Sequence, residues 1–95
     1  MKFGITKNPS DILEEIALKH RSIRKEVGLS QAELAERSGV SLGSLKRFER
    51  TGQISLESLL KLAHILNRLD DFDAVLKLNE NLKDIEKLFS DKTRK

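Results

Sequence analysis

The chain of 95 residues is long enough for one domain and too short for a second hydrophobic core. It has no cysteine, which excludes a disulfide framework, a thiolate metal site and a cysteine nucleophile. No stretch approaches the roughly 18 apolar residues of a membrane-spanning helix, and the N-terminus lacks a signal-peptide pattern. We therefore expect a cytoplasmic protein, and the net charge of +3 is too small to identify a partner.

A first helix is predicted between residue 8 and Gly28. Asn8-Pro9-Ser10-Asp11 is typical of a helix start, and Gly28 is typical of a helix end. Apolar residues and one histidine recur between them at steps of three and four, which predicts one buried face over about four turns. These positions are Ile12, Leu13, Ile16, Ala17, His20, Ile23 and Val27.

Two short helices joined by a tight turn follow. Ser30 and Glu33 have the spacing of a capping box, which opens a helix over about 31–38. Gly39 is predicted as the left-handed residue that ends it, and Ser41 as the cap of a second helix over about 42–50. Two such helices with a glycine in the turn are typical of a helix-turn-helix.

The remaining signals predict further short helices. Ser55 caps a helix that extends to Leu66, and shorter helices are predicted at about 71–76 and 82–89. The alternation typical of strands is absent, apart from a short candidate segment at 2–5. The predicted fold is therefore all-α, a compact bundle of five or six short helices with a central helix-turn-helix.

Residues 24–66 resemble the helix-turn-helix of the Xre family, which includes the phage lambda and 434 repressors and Cro. The resemblance covers about half of the chain and implies that helix 42–50 enters the DNA major groove. It rests on Arg24, Gly28-Leu29-Ser30-Gln31, Glu33-Leu34-Ala35, Ser38-Gly39-Val40-Ser41, Ser44-Leu45, Phe48-Glu49, Ser55-Leu56-Glu57 and Leu59-Leu60-Lys61-Leu62-Ala63.

The resemblance implies a role for each matching residue. Gln31 would reach a phosphate or support the reading helix, and the full set of expected DNA-binding residues is Gln31, Ser41, Leu42, Gly43, Ser44, Lys46, Arg47, Arg50 and Thr51. The expected structural residues are Arg24, Ala35, Gly39, Leu45, Phe48 and Glu49. Glu49 would pair with Arg24, either to support the reading helix or as an ordinary surface ion pair of ~0–1 kcal/mol.

The sequence departs from the family pattern in two places, at Leu42 and Gly43 and in the loop at 50–54. Leu42 stands where many relatives have a long polar side chain, so it would contact a thymine methyl or cover the hydrophobic corner without touching a base. Gly43 replaces a bulkier residue and would let the backbone approach DNA closely. The loop at 50–54 differs from the commoner glycine-basic-proline version, which makes its phosphate contacts less predictable.

Site size and charge predict how such a protein would assemble. One reading helix covers only four or five base pairs, so we expect a homodimer on an inverted repeat with half-sites ~34 Å apart. Residues 1–55 contain ten basic and seven acidic side chains, whereas residues 56–95 contain eight of each. We therefore expect the first half of the chain to bind DNA and the second half to bind protein. When bound to DNA in a bacterial cell, the protein would be associated with the nucleoid.

The expected organisation is an N-terminal arm at 1–9, a DNA-binding domain at 10–67, a helical extension at 68–91 and a basic tail at 92–95. The extension would form a dimer or partner surface, or would complete the core of the monomer. Its apolar residues are Leu69, Phe72, Val75, Leu76, Leu78, Leu82, Ile85, Leu88 and Phe89.

Residues 48–60 resemble a narrower set of proteins. The pattern Phe-Glu-Arg-Thr-Gly-x-Ile-Ser-Leu-Glu-Ser-Leu-Leu is similar to HipB-type antitoxins, which are partnered with HipA-like serine/threonine kinase toxins. The resemblance implies a dimeric antitoxin that represses its own operon and binds the kinase. Similar proteins also occur as stand-alone or prophage-type regulators, and that alternative stays open.

Catalysis, a cofactor and a metal site are not predicted. His20 and His64 are the only histidines, and each lies on a helix beside core positions, where a lone histidine is typically a partly buried structural residue. Asp70, Asp71 and Asp73 lack the glycine and distant glutamate of a calcium loop. The chain also lacks a glycine-rich phosphate loop, a nucleophile elbow and paired catalytic carboxylates.

Overall fold

The computed structural model describes residues 7–78, and all regular structure in this range is helical. Four α-helices are followed by a short 3₁₀ helix: α1 (Pro9–Val27), α2 (Gln31–Ser38), α3 (Leu42–Thr51), α4 (Leu56–Ile65) and the 3₁₀ helix Leu69–Ala74. The predicted all-α fold with a central helix-turn-helix is confirmed. The strand segment at 2–5 and the last predicted helix at 82–89 lie outside the described residues.

Each of the four α-helices begins at a side-chain cap, as the sequence predicts. The Asn8 side chain accepts a hydrogen bond from the Asp11 amide at 2.9 Å, and Asp11 accepts one from the Asn8 amide at 3.2 Å. Ser30 and Glu33 form the same reciprocal pair at 3.0 and 2.8 Å. α1 is longer than the expected four turns or so: its 19 residues make more than five turns.

Glycine ends both helices of the helix-turn-helix. Gly39 has φ +80° and its amide bonds to the Ala35 carbonyl, and Gly52 has φ +84° and bonds to the Phe48 carbonyl. At Gly52 there is a second constraint, because an added Cβ would lie 2.6 Å from both the Cβ and the carbonyl oxygen of Leu13. The end of α3 therefore touches the backbone of α1, and only glycine fits the contact.

The core lies where α2, α3 and α4 meet, with α1 packed against α3. Leu34, Leu45, Phe48 and Leu62 are fully buried at its centre. Leu29, Ala35, Val40 and Leu66 complete the buried cluster. Packing of Val40 in the core fixes one side of the helix-turn-helix turn, while Gly39 on the other side is exposed.

The chain after α4 differs in detail from the sequence prediction. A helix was expected at about 71–76, whereas the 3₁₀ helix occupies Leu69–Ala74. Two left-handed residues account for the shift, since Asn67 has φ +61° just before this element and Leu76 has φ +54° just after it. An ion pair between Arg68 and Asp71 at 2.9 Å spans its first turn.

Candidate nucleic-acid interface

A buried polar cluster, consisting of His20, Arg24, Gln31 and Glu49, joins α1, α2 and α3. Arg24 donates from Nε to Glu49 Oε2 and from Nη2 to Glu49 Oε1, both at 2.9 Å. Gln31 Nε2 donates to Glu49 Oε1 at 3.0 Å, and His20 Nδ1 lies 2.8 Å from Glu49 Oε2. A carboxylate only accepts hydrogen bonds, so His20 carries its proton on Nδ1.

The alternative of an ordinary surface ion pair between Arg24 and Glu49 is wrong. The side chains are only 8% and 4% exposed, and Arg24 Nη1 also donates to the Leu29 carbonyl at 2.9 Å. A bidentate pair of this kind fixes the relative orientation of its two helices, because both planar groups must be coplanar to form both bonds. Arg24 and Glu49 therefore hold α3 against α1.

Burial and pairing set the protonation states within this cluster. Burial lowers the pKa of His20, and the neighbouring Glu49 carboxylate only partly offsets that effect. Burial acts to raise the pKa of Glu49, but hydrogen bonds from Arg24 and Gln31 and the charge of Arg24 hold that pKa below its usual value. The Glu49 hydrogen bond raises the pKa of Arg24. The stable state at neutral pH is a neutral His20 beside a charged Arg24–Glu49 pair.

The burial of Glu49 leaves α3 with exposed charges of one sign. Gly43, Lys46, Arg47 and Arg50 are exposed and follow the i, i+3, i+4, i+7 spacing of a single helix face. Leu45 and Phe48 are buried on the opposite face. The only acidic residue of α3 thus lies inside the domain, and the solvent-facing side carries three cations.

The first turn of α3 presents small side chains. Ser41 caps the helix by accepting from the Ser44 amide at 3.1 Å, and its hydroxyl bonds to the Ser44 hydroxyl at 2.9 Å. Gly43 has no atom within 4 Å of an ideal Cβ position, so this part of the backbone is open to a ligand. Leu42 is 37% exposed, a value that is compatible with both interpretations of this residue.

The end of α3 contains a second group of hydrogen bonds. The Arg47 guanidinium donates to the side-chain oxygen of Gln53. The Thr51 hydroxyl donates to the Arg47 carbonyl at 2.8 Å and accepts from the Gln53 amide at 3.1 Å. Arg47 is therefore oriented along the helix toward the following loop, and Thr51 extends α3 one residue past its predicted end.

A basic groove lies at the surface between α1, the start of α2 and α3, on the exposed side of the buried polar cluster. Arg21 contributes from α1, Ser30 and Gln31 from the start of α2, and Lys46 and Arg50 from α3, while the buried Arg24 and Glu49 also line it. The groove thus brings the predicted residues Gln31, Lys46 and Arg50 together. Ser41, which caps α3, and Ser44 and Thr51, which lie within α3, do not line the groove.

The sequence did not reveal what three residues of this region contact or line. His20 lies four residues before Arg24 and so shares its helix face, but its partner Glu49 is 29 residues away and no local pattern signals the contact. Gln53 was considered only as part of an atypical loop, although it bonds Arg47. Arg21 was not considered at all, since an exposed arginine on a helix is ordinary in isolation.

The relationship of the chain to known proteins agrees with this geometry. A family model described as helix-turn-helix (HTH_3) matches residues 21–72, which is more than half of the chain. No curated protein and no solved structure matches it. Among the described residues, no helix combines the length and the apolar character needed to cross a membrane. The chain belongs to the helix-turn-helix family of Xre and lambda-repressor type, whose members are DNA-binding transcription regulators.

Proposed function

We propose that the chain is a sequence-specific repressor that binds an inverted-repeat operator as a homodimer through α3. We further propose that it is the antitoxin of a toxin-antitoxin operon, which it autoregulates and whose HipA-like kinase toxin it binds. The observation that carries DNA binding is the burial of Glu49, because it leaves Lys46, Arg47 and Arg50 as the only exposed charges of α3. Such a cationic face attracts the phosphate backbone of a duplex.

In this proposal the DNA contacts divide into two classes. Lys46, Arg47 and Ser44 meet base edges in the major groove, where a bidentate arginine–guanine pair contributes ~1–3 kcal/mol of discrimination. Gln31, Ser41, Arg50 and Thr51 bind or position the phosphate backbone. Leu42 contacts a thymine methyl, and Gly43 allows the backbone of α3 to approach the bases closely.

A double substitution tests DNA binding. We expect Lys46→Ala with Arg47→Ala to abolish the band shift on duplex DNA from upstream of the native gene, with unchanged helicity. The matched control is Arg37→Ala with Lys61→Ala, which removes the same charge where α2 meets α4 and should leave the shift intact. A shift that survives the Lys46 and Arg47 substitutions would contradict the proposal.

We propose that the extension at 68–91 makes the dimer or partner contacts, that 10–67 is the DNA-binding domain and that 92–95 is a basic tail. Apolar side chains exposed in the described part of the extension support this assignment, since Leu69, Val75 and Leu76 are 41%, 58% and 92% exposed. Light scattering at micromolar concentration tests it. A mass near 10.8 kDa, that of a single chain, would contradict the dimer.

The antitoxin role rests on the similarity of residues 48–60 to HipB-type antitoxins. It predicts a kinase-like reading frame beside the gene. The product of that frame should copurify with the chain, and it should arrest growth only when the chain is absent. If no such frame adjoins the gene and no kinase copurifies, the chain is a stand-alone or prophage-type regulator. That outcome would leave the DNA-binding proposal unchanged.

A further inference from the structure

The basic groove is lined by several cationic side chains that no acidic side chain among residues 7–78 pairs with. Arg21, Lys46 and Arg50 line this groove, and their side chains form no hydrogen bond or ion pair with the described residues. Lys46 and Arg50 are also four residues apart on α3, a spacing at which like charges destabilise a helix by ~0.2–0.5 kcal/mol.

The one carboxylate that lines the groove is not available to these cations. Both Glu49 oxygens accept hydrogen bonds within the buried polar cluster, from Arg24 and His20 on one side and from Arg24 and Gln31 on the other. Within residues 7–78, three cations without a partner therefore surround a groove whose one anion, Glu49, is already neutralised. A ligand that supplies a negative charge there would relieve this repulsion.

We propose that a phosphate of the DNA backbone binds in the basic groove and that Arg21 is the contact contributed by α1. This inference rests on the proposed DNA binding by α3. Arg21 and the cations of α3 lie across one groove, so a strand that follows the exposed face of α3 passes within reach of α1. The protein surface in contact with DNA then extends beyond the helix-turn-helix to the first helix.

Arg21 is expected to contribute affinity without contributing sequence discrimination. A phosphate contact carries no base information and adds about −0.9 to the slope of log Kobs against log salt concentration. For each half-site, we expect Arg21→Gln to reduce the magnitude of this slope by ~0.9 and the affinity roughly eight-fold at 0.1 M salt. The ratio of affinities for cognate and non-cognate duplexes should not change.

The experiment measures DNA binding by the full chain from 0.1 to 0.3 M KCl by fluorescence anisotropy. The matched control is Lys19→Gln, which removes the same charge from the other side of α1, where Lys19 lines an apolar groove. Its slope should equal that of the unsubstituted chain. Thermal unfolding followed by circular dichroism should show equal stability for both variants.

The possible results separate this inference from the proposed function. If the unsubstituted chain binds DNA and Arg21→Gln has an unchanged slope, the inference is wrong and the proposed function stands. If Arg21→Gln changes the cognate to non-cognate ratio, Arg21 reads a base and the phosphate assignment is wrong. If inorganic phosphate raises the melting temperature while the slope is unchanged, the groove binds a free anion instead. If the unsubstituted chain binds no duplex, the proposed function itself is overturned.

Discussion

Arg24 and Glu49 connect α1 to α3 through two hydrogen bonds of 2.9 Å, and both side chains are almost completely buried. Their pairing does two things at once. It fixes the orientation of α3, and it removes the only carboxylate of α3 from the surface. The stability of the domain and the exposed positive charge of α3 therefore depend on the same contact.

Breaking this pair should be costly. We expect Glu49→Gln to lower the free energy of unfolding by ~3–5 kcal/mol, because it leaves the buried Arg24 without its counter-charge. Urea unfolding measures the change. The control is Glu57→Gln, which breaks an exposed 3.7 Å pair with Lys61 and should change stability by less than about 0.5 kcal/mol. Equal effects of the two substitutions would contradict a structural role for Glu49.

Acid should destabilise the protein before its carboxylates titrate. The pKa of His20 is lowered in the folded state, so below about pH 6.5 the unfolded chain binds a proton that the folded chain does not. The contribution of His20 to the free energy of unfolding is therefore fully present above pH 6.5, and it falls as the pH decreases toward the folded pKa of His20. Glu49, whose pKa is also lowered, adds a further loss below its unfolded value of about 4.5.

Denaturation at pH 7.5, 6.5 and 5.5 tests the contribution of His20. We expect the unsubstituted chain to lose stability across this range, and His20→Gln to show a smaller loss because a glutamine does not titrate. The buried His20 Nε2 has no hydrogen-bond partner among residues 7–78, which makes the charged form costly because the added proton finds no acceptor there. Stability that is constant from pH 7.5 to 5.5 would contradict this assignment.

Two glycines with the same backbone conformation should respond differently to alanine. Gly39→Ala places a Cβ in open space, so only the left-handed φ is penalised, by ~1–2 kcal/mol. Gly52→Ala adds a contact of 2.6 Å with Leu13, which should cost a further ~1–3 kcal/mol from overpacking. Thermal melts of the two variants check the difference, and equal melting temperatures would show that α1 moves away without cost.

Gly43→Ala should separate folding from DNA binding. Alanine is more favourable than glycine in a helix, by ~0.8–1 kcal/mol in the interior and by less in the first turn. The added Cβ has no described atom outside its own turn within 4 Å, so the variant should be slightly more stable. We expect its affinity for the operator to fall about ten-fold, because the methyl group would lie between α3 and the bases. The ten-fold figure corresponds to ~1.4 kcal/mol. An unchanged affinity in the anisotropy assay would show that Gly43 does not approach DNA.

Local signals in the sequence predict local structure well. The capping box of Ser30 and Glu33 is recognisable because both partners lie within four residues. The ends of α2 and α3 follow from glycine in the same way. The 3₁₀ helix at Leu69–Ala74 begins before the predicted range of 71–76. The sequence did not predict this start, because the left-handed conformation of Asn67 has no distinctive pattern in a polar segment.

Contacts between distant helices were less predictable. The Arg24–Glu49 pair was inferred only through the family resemblance, and its burial was left open. The approach of Gly52 to Leu13 spans 39 residues and depends on how α1 crosses α3, which periodicity does not determine. Arg21 acquires a candidate role only when the fold places it across a groove from Lys46 and Arg50.

The contact between Gly52 and Leu13 also determines where the domain accommodates sequence change. Backbone meets backbone at this point, so the spacing of the two helices there does not depend on the size of any side chain. The opposite end of α3, at Gly43, has no such constraint. We therefore expect altered core side chains to tilt α3 about its fixed C-terminal end. Such a tilt would move the first turn of the helix relative to DNA and shift operator preference among relatives that retain the same exposed residues.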